Sequence, residues 1–201
     1  MATQTQAKLA LALHRMGALK FGNFTLKSGI QSPFYIDLRL LVSAPSVLEM
    51  AAQALAALAS DLRYDRIAAI PMAGLPIGVA LSLQTGKPLI YPRGERKTYG
   101  TAKVIEGDFH PGEQVLLVDD VITRGDSKLD AMAPLEAAGL NIEDIVVVLD
   151  RESGGVAMLA DHGYTVHTVL TMTALIEVLA DANRITEGER QTVQAWLATN
   201  G

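Results

Sequence analysis

Cysteine is absent from the 201 residues of this chain, which excludes disulfides, thiolate zinc sites, iron–sulfur clusters and cysteine nucleophiles together. Positive charge is scarce as well: 17 Lys and Arg stand against 22 Asp and Glu, a formal net charge of −5. A general polyanion binder should be basic, so neither nucleic acid nor an anionic membrane is an expected partner. No apolar run approaches the roughly 20 residues that a membrane span needs. The short stretch Leu9–Leu13 ends at His14 and Arg15 and lacks the basic flank of a signal peptide. The patterns G-x-x-x-x-G-K-[ST], G-x-G-x-x-G and H-E-x-x-H do not occur. His14, His110, His162 and His167 carry no metal-ligand or triad signature.

What is present suits a packed core. Hydrophobic residues make up 49% of the chain and charged ones 19%, a balance that argues against disorder. The length fits one domain, 1–201, and the expected location is cytoplasmic. An amphipathic helix is predicted within 4–20, then short strands Phe24–Leu26 and Phe34–Leu38 around the turn-rich Gly29–Pro33. Ser46 and Glu49 have capping-box spacing for an alanine-rich helix to about Leu62, as do Thr186 and Glu189 for a last helix containing Trp196. Between them βα alternation is plain, with strands at Ile67–Ile70, Leu89–Tyr91, Val115–Val118, Ile145–Leu149 and Val166–Leu170. Those runs are continuously apolar, as strands buried on both faces of a parallel sheet are. The predicted fold class is α/β: a parallel sheet flanked by helices (41–201) with a small N-terminal lobe (1–40). The polar, locally basic segment 92–110 reads as a functional loop.

The chemistry concentrates in Val115–Ser127, VLLVDDVITRGDS. A buried strand runs into two adjacent carboxylates, Asp119 and Asp120, then turns through a Thr/Gly/Ser loop into a helix. Ligands of open α/β sheets bind at the carboxyl ends of strands. Free N–H groups at a helix start form an anion site, and Gly125 lets the backbone come close. The carboxylates suit sugar hydroxyls or a hydrated Mg²⁺. A ligand with a phosphate at one end and a diol beside it fits both halves.

This segment resembles the phosphoribosyl-pyrophosphate (PRPP) signature of type I phosphoribosyltransferases. Three further segments resemble the orotate phosphoribosyltransferase family: FGNFTLKSGIQSPFYIDLR at 21–39, RGERKTYGTAKVIEG at 93–107 and LDRESGG at 149–155. The resemblance spans nearly the whole chain in the right order. It implies transfer of a phosphoribosyl group from PRPP to orotate, giving orotidine 5′-monophosphate and pyrophosphate in pyrimidine synthesis. It also implies Mg²⁺ held largely by PRPP oxygens and water, and a homodimer in which a mobile loop (about 92–106) reaches the neighbouring subunit's site.

The residue roles it implies are these. Asp119 and Asp120 hold the ribose hydroxyls, and Thr123, Arg124, Gly125, Asp126 and Ser127 wrap the 5′-phosphate, with Val121, Ile122, Met72 and Ala73 beside PRPP. Lys27 lies near the reaction centre against PRPP and orotate. Phe34 and Tyr35 border the pyrimidine, although adjacent strand residues face opposite ways and one can belong to the core. Arg151 meets the polar edge of orotate, and Thr123 reaches it too. Arg93, Gly94, Lys97 and Tyr99 engage pyrophosphate from the loop. Lys97, Lys27, Asp119 and Asp120 form the implied catalytic set. Three positions depart from the family's usual pattern: Gly94 and Ala73 stand where basic residues are common, and Asp126 puts a carboxylate in the phosphate loop. Two other readings are a phosphoribosyltransferase for another base, against which the N-terminal lobe argues, and a non-catalytic PRPP-sensing regulator. Trp196 reads as a core or dimer-contact residue.

Overall fold

A computed structural model describes residues 2–26, 29–93 and 104–200. Helix α1 (Gln4–Arg15) starts at a capping box in which the Thr3 hydroxyl accepts from the Gln6 N–H and the Gln6 side chain accepts from the Thr3 N–H. The helix is shorter than expected. Residues 19 and 20 already belong to strand β1 (Leu19–Thr25), which pairs antiparallel with β2 (Gln31–Ile36) in a two-stranded sheet. A 3₁₀ segment, Leu38–Ser43, leads to α2 (Pro45–Leu58). The expected Ser46 capping box is not there: Pro45 occupies the first turn, and the capping residue Ala44 offers no side-chain bond. The fixed φ of proline suits that position and it has no N–H to satisfy. Ser46 therefore lies inside the helix.

The main sheet holds six strands in the order β5-β4-β3-β6-β7-β8: β3 (Arg66–Ala69), β4 (Leu89–Pro92), β5 (Ile105–Glu106), β6 (Gln114–Ile122), β7 (Asn141–Asp150) and β8 (Thr165–Thr171). All pairings are parallel except β4 with β5, a short antiparallel addition at the edge drawn from the segment expected to be loop. Helices α3 (Gly74–Thr85), α4 (Asp126–Ala137), α5 (Gly155–Asp161), α6 (Met172–Asp181) and α7 (Glu187–Asn200) complete the chain. The expected Thr186–Glu189 box opens α7, with the Glu189 N–H donating to the Thr186 hydroxyl at 3.2 Å and the Thr186 N–H to the Glu189 carboxylate at 2.8 Å.

Strand alternation divides the interior into two apolar clusters. Leu116 and Val118 of β6 join Val146 and Val148 of β7 on one face, packed with Leu9, Phe34, Leu55 and Ile176. Val115, Leu117, Ile145 and Val147 face the other way, against Met132, Leu135 and Leu159. Burial on both faces explains the unbroken apolar runs. At the edge of the sheet core, Arg66 forms an ion pair with Glu113 and also donates to the Asp108 carbonyl. That pairing, with a further bond from the His110 N–H, holds the Glu113 carboxyl down at about 2. The sheet delivers the carboxyl ends of β6 and β7 side by side, and the site is built there.

Candidate active site

The apolar alternation of β6 carries on into its acids. After Val118, Asp119 turns toward α4 and Asp120 toward the opposite face, as the twofold period of a strand requires. Asp119 is buried (6% exposed), and one of its oxygens pairs with the ammonium of Lys128, itself only 3% exposed. Its other oxygen accepts the Asp120 N–H at 2.9 Å. Lys128 also donates to the Val121 carbonyl at 2.5 Å. Breaking such a buried pair by removing one partner costs about 3–5 kcal/mol. Among the described residues, no cation forms an ion pair with Asp120. Burial first, then the neighbouring Asp119 charge, pushes its carboxyl up to about 7. The Val121 N–H, donating to it at 2.8 Å, opposes that shift.

Beyond Ile122 the chain turns through Thr123–Gly125 into α4. Gly125 caps the helix at φ +92°, in the left-handed region that favours glycine. No side chain caps α4, and while the Lys128 N–H donates to the Gly125 carbonyl at 2.8 Å, the N–H groups of Asp126 and Ser127 remain available to an anion. Gly155, at the start of α5, closes on the loop from below: its N–H donates to the Thr123 carbonyl at 2.9 Å, and a Cβ there would meet that oxygen at 2.3 Å. The Arg151 N–H donates to the Ile122 carbonyl at 3.0 Å, tying the ends of β6 and β7 together.

Two pockets open over this turn. One, of about 540 Å³, is lined by Thr123–Ser127 and Asp130 together with Ser153, Trp196 and Asn200. The other, of about 290 Å³, is lined by Phe34–Arg39 with Asp120 and Val121. Leu26, Thr123 and Arg151 belong to both. Phe34 is wholly buried in the core, whereas Tyr35 is 36% exposed and its hydroxyl accepts from Arg39 at 3.1 Å. Arg39 in turn grips Asp37 through two bonds of 2.6 and 2.8 Å, which hold the Asp37 carboxyl below its ordinary range.

The half-buried guanidinium of Arg151 sits where two rings meet. Its carbon is 4.9 Å from the centre of Phe34 and 5.0 Å from that of Trp196, and these rings meet edge to face at 5.3 Å. It donates to the buried Ser32 hydroxyl at 2.9 Å. Burial lowers its pKa, yet a guanidinium keeps its charge in proteins.

The structure thus brings together Asp119, Asp120, Val121, Ile122, Thr123–Ser127, Phe34, Tyr35 and Arg151. Met72 and Ala73, between β3 and α3, lie outside both pockets, and Met72 is largely exposed. Arg93 follows β4 and forms an ion pair with Glu106 of β5. Asp126 is exposed on the rim of the larger pocket. Lys27, Gly94, Lys97 and Tyr99 fall outside the described residues. Sequence reasoning missed two participants. Trp196 is no mere core residue but part of the pocket wall. Lys128 shares a buried stripe of α4 with Met132 and Leu135, and a lysine at that i, i+4, i+7 spacing is the signal that could have revealed it.

No family model matches the chain. It is 39% identical over 188 residues to the orotate phosphoribosyltransferase of Caenorhabditis elegans, covering 92% of this chain and 83% of that one. The bifunctional enzyme PyrF/PyrE of Nostoc sp. is 40% identical over 179 residues, 89% of this chain. Among solved structures, the UMP synthase of Leishmania donovani superposes with a TM-score of 0.90 at 39% identity over 96% of this chain. The chain spans only 38% and 42% of the length of these last two relatives. The chain belongs to the orotate phosphoribosyltransferase family, glycosyltransferases of pyrimidine biosynthesis.

Proposed function

We propose that this chain joins orotate to the phosphoribosyl group of PRPP, with the two pockets dividing the work. The observation that carries the reading is the pair of pockets sharing Leu26, Thr123 and Arg151 above the two acids that end β6. The larger pocket, with the uncapped start of α4 as its floor, takes the 5′-phosphate. The smaller takes orotate, a planar anion, between Tyr35 and the cationic edge of Arg151, whose planar fork matches a carboxylate or paired carbonyls. Asp119 and Asp120 receive the ribose hydroxyls between them.

In the reaction N1 of orotate gives up its proton to the departing pyrophosphate and forms a bond to C1′ as the bond from C1′ to the pyrophosphate oxygen breaks. The pyrophosphate leaves with the electron pair of that broken bond. Positive charge develops on the sugar near Asp119 and Asp120, which stabilise it electrostatically. Lys97, Arg93, Gly94 and Tyr99 engage the leaving group, and Lys27 serves the reaction centre between the two substrates. No protein nucleophile is required, in keeping with a chain free of cysteine. Covering the bound substrates excludes water that would hydrolyse PRPP.

The Asp120 carboxylate, which lines the smaller pocket where it adjoins the phosphate seat, is an oxygen donor suited to Mg²⁺, which keeps several waters and binds through substrate oxygens. Bound with PRPP, the ion would neutralise charge on the pyrophosphate, with Asp120 facing its water shell. A homodimer accompanies this reading. Met72, Val79 and Leu83 expose large apolar side chains on and before α3, as do Leu40 and Val42 on the 3₁₀ segment, and such a surface suits contact with a second copy. No helix among the described residues is long and apolar enough to cross a membrane; the substrates are small metabolites, and the site of action inferred is the cytoplasm.

The test is direct. Purified protein with PRPP and Mg²⁺ should consume orotate, followed by its ultraviolet absorbance, and leave adenine, hypoxanthine and uracil untouched. Tight PRPP binding without turnover would overturn the enzyme reading in favour of a PRPP sensor.

A further inference from the structure

The geometry points to Lys128 as a positioning residue for PRPP: an internal cation that clasps the phosphate loop shut and aims Asp119 at the ribose. The loop runs from the end of β6 to the start of α4, with Thr123–Gly125 as its turn. Lys128 stands in the first turn of α4 and reaches back across the whole loop. It touches β6 at two places, the Asp119 carboxylate and the Val121 carbonyl. One ammonium therefore fastens both stems. The loop cannot widen without separating a buried ion pair, and in a poorly hydrated setting that separation is costly.

The same contact orients the acid. A carboxylate accepts about four hydrogen bonds. On Asp119 one position is taken by Lys128 and another by the Asp120 N–H, which fixes the plane of the group and leaves the remaining lone pairs for the ribose. The opposing wall is close: a Cβ on Gly74 would lie 3.0 Å from the Asp119 oxygen and 2.9 Å from the Val118 carbonyl. Asp119 is thus held from α4 on one side and confined by α3 on the other. Lys128 and Asp119 are both buried and neither lines a pocket, so Lys128 acts on the substrate from beneath, through the Asp119 carboxylate and the loop that it fastens.

The inference rests on the reading of Asp119 as a ribose-binding acid, and the experiment separates the two. Steady-state kinetics are measured for Lys128→Met, Lys128→Arg, Asp119→Asn and the double variant, with PRPP–Mg²⁺ and orotate varied in turn. Lys128→Met keeps the aliphatic volume and removes the charge. Its KM for PRPP should rise at least about tenfold, the scale of one hydrogen bond to a charged group, while KM for orotate stays within about twofold. Lys128→Arg should recover part of the loss. The double variant should bind PRPP no more weakly than Asp119→Asn alone, because the two residues act as one unit. A merely structural lysine would lower the melting temperature and the active fraction, hence kcat, and leave the PRPP KM unmoved. That result overturns the inference. If Asp119→Asn itself leaves the PRPP KM unchanged, the assignment of Asp119 to the ribose fails first. Should Lys128→Met not fold, Lys128→Arg and the pair Asp119→Asn and Asp119→Asn/Lys128→Arg decide the same question: equal PRPP KM values in that pair uphold the coupling, and additive losses refute it.

Discussion

The indole of Trp196 lies 5.0 Å from the guanidinium carbon of Arg151, and its N–H donates to the Gln31 carbonyl at 2.7 Å. The last helix therefore supports the arginine proposed to meet orotate and ties itself to the N-terminal hairpin through a single side chain. Trp196→Ala should raise the orotate KM about three- to thirtyfold, the range expected for a partly desolvated cation–π contact, with a smaller effect on PRPP. Trp196→Phe keeps a ring face and should recover most of the loss. Kinetics with each substrate varied in turn check this. Equal changes in both KM values for Trp196→Ala would argue for general loosening of the site.

Asp120 makes the stability of the ligand-free protein depend on pH. Its carboxyl titrates near 7 when folded against an ordinary value of 3.8, so between those limits the folded chain holds a proton that the unfolded chain has released. Stability then falls as pH rises, and the penalty is complete above about pH 7. Asp120→Asn removes it. The variant should melt several degrees above the parent at pH 8, with the gap closing below about pH 4, while losing affinity for PRPP. Thermal melts across that range decide it; a gap independent of pH would contradict the assignment.

Gly155 is needed for its lack of a side chain. A Cβ there would press on the Thr123 carbonyl at 2.3 Å and on Ile122 at 2.9 Å. Gly155→Ala should displace the phosphate loop, lower the melting temperature by several degrees and weaken PRPP binding about tenfold or more. Gly188 of α7 meets nothing nearer than 4.0 Å, and Gly188→Ala should leave binding unchanged. Calorimetric titration with PRPP–Mg²⁺ compares the two.

If the loop is shared between subunits, two inactive variants should repair one another. Lys97→Ala and Asp119→Asn homodimers should each be nearly inactive. Remixed in equal amounts, they should regain activity at about a quarter of the sites, since half the dimers are hybrids with one intact site each. Absence of rescue in dimers confirmed as hybrids, by mass spectrometry of differently tagged chains, would exclude sharing.

Much of the architecture was readable because the central strands of the main sheet are buried on both faces and announce themselves as unbroken apolar runs, as in Leu116–Val118 and Ile145–Leu149. That a strand carries the two acids and then turns at Gly125 into a helix followed from local spacing alone. The helix boundary at Pro45 was misread because Ser46 and Glu49 have capping-box spacing while proline one residue earlier settles the start. Contacts that join distant stretches left less trace. Trp196 and Gln31 are 165 residues apart, and no local pattern pairs them. Nor does the neighbouring position of Phe34 and Tyr35 say which is core; only packing against Trp196 and Arg151 sends Phe34 inward.

Leu26, Thr123 and Arg151 wall both pockets, and that party wall sets a rule for anyone redesigning the enzyme. On the proposed division of the substrates, the two compartments are not separable modules. A substitution in the shared wall that admits a larger base also reshapes the seat of the phosphate, so selectivity and PRPP affinity would drift together. Side chains that line the smaller compartment alone, such as Tyr35, Ile36 and Leu38, would on that reading be the positions from which to alter the choice of base while the proposed phosphate seat stays as it is.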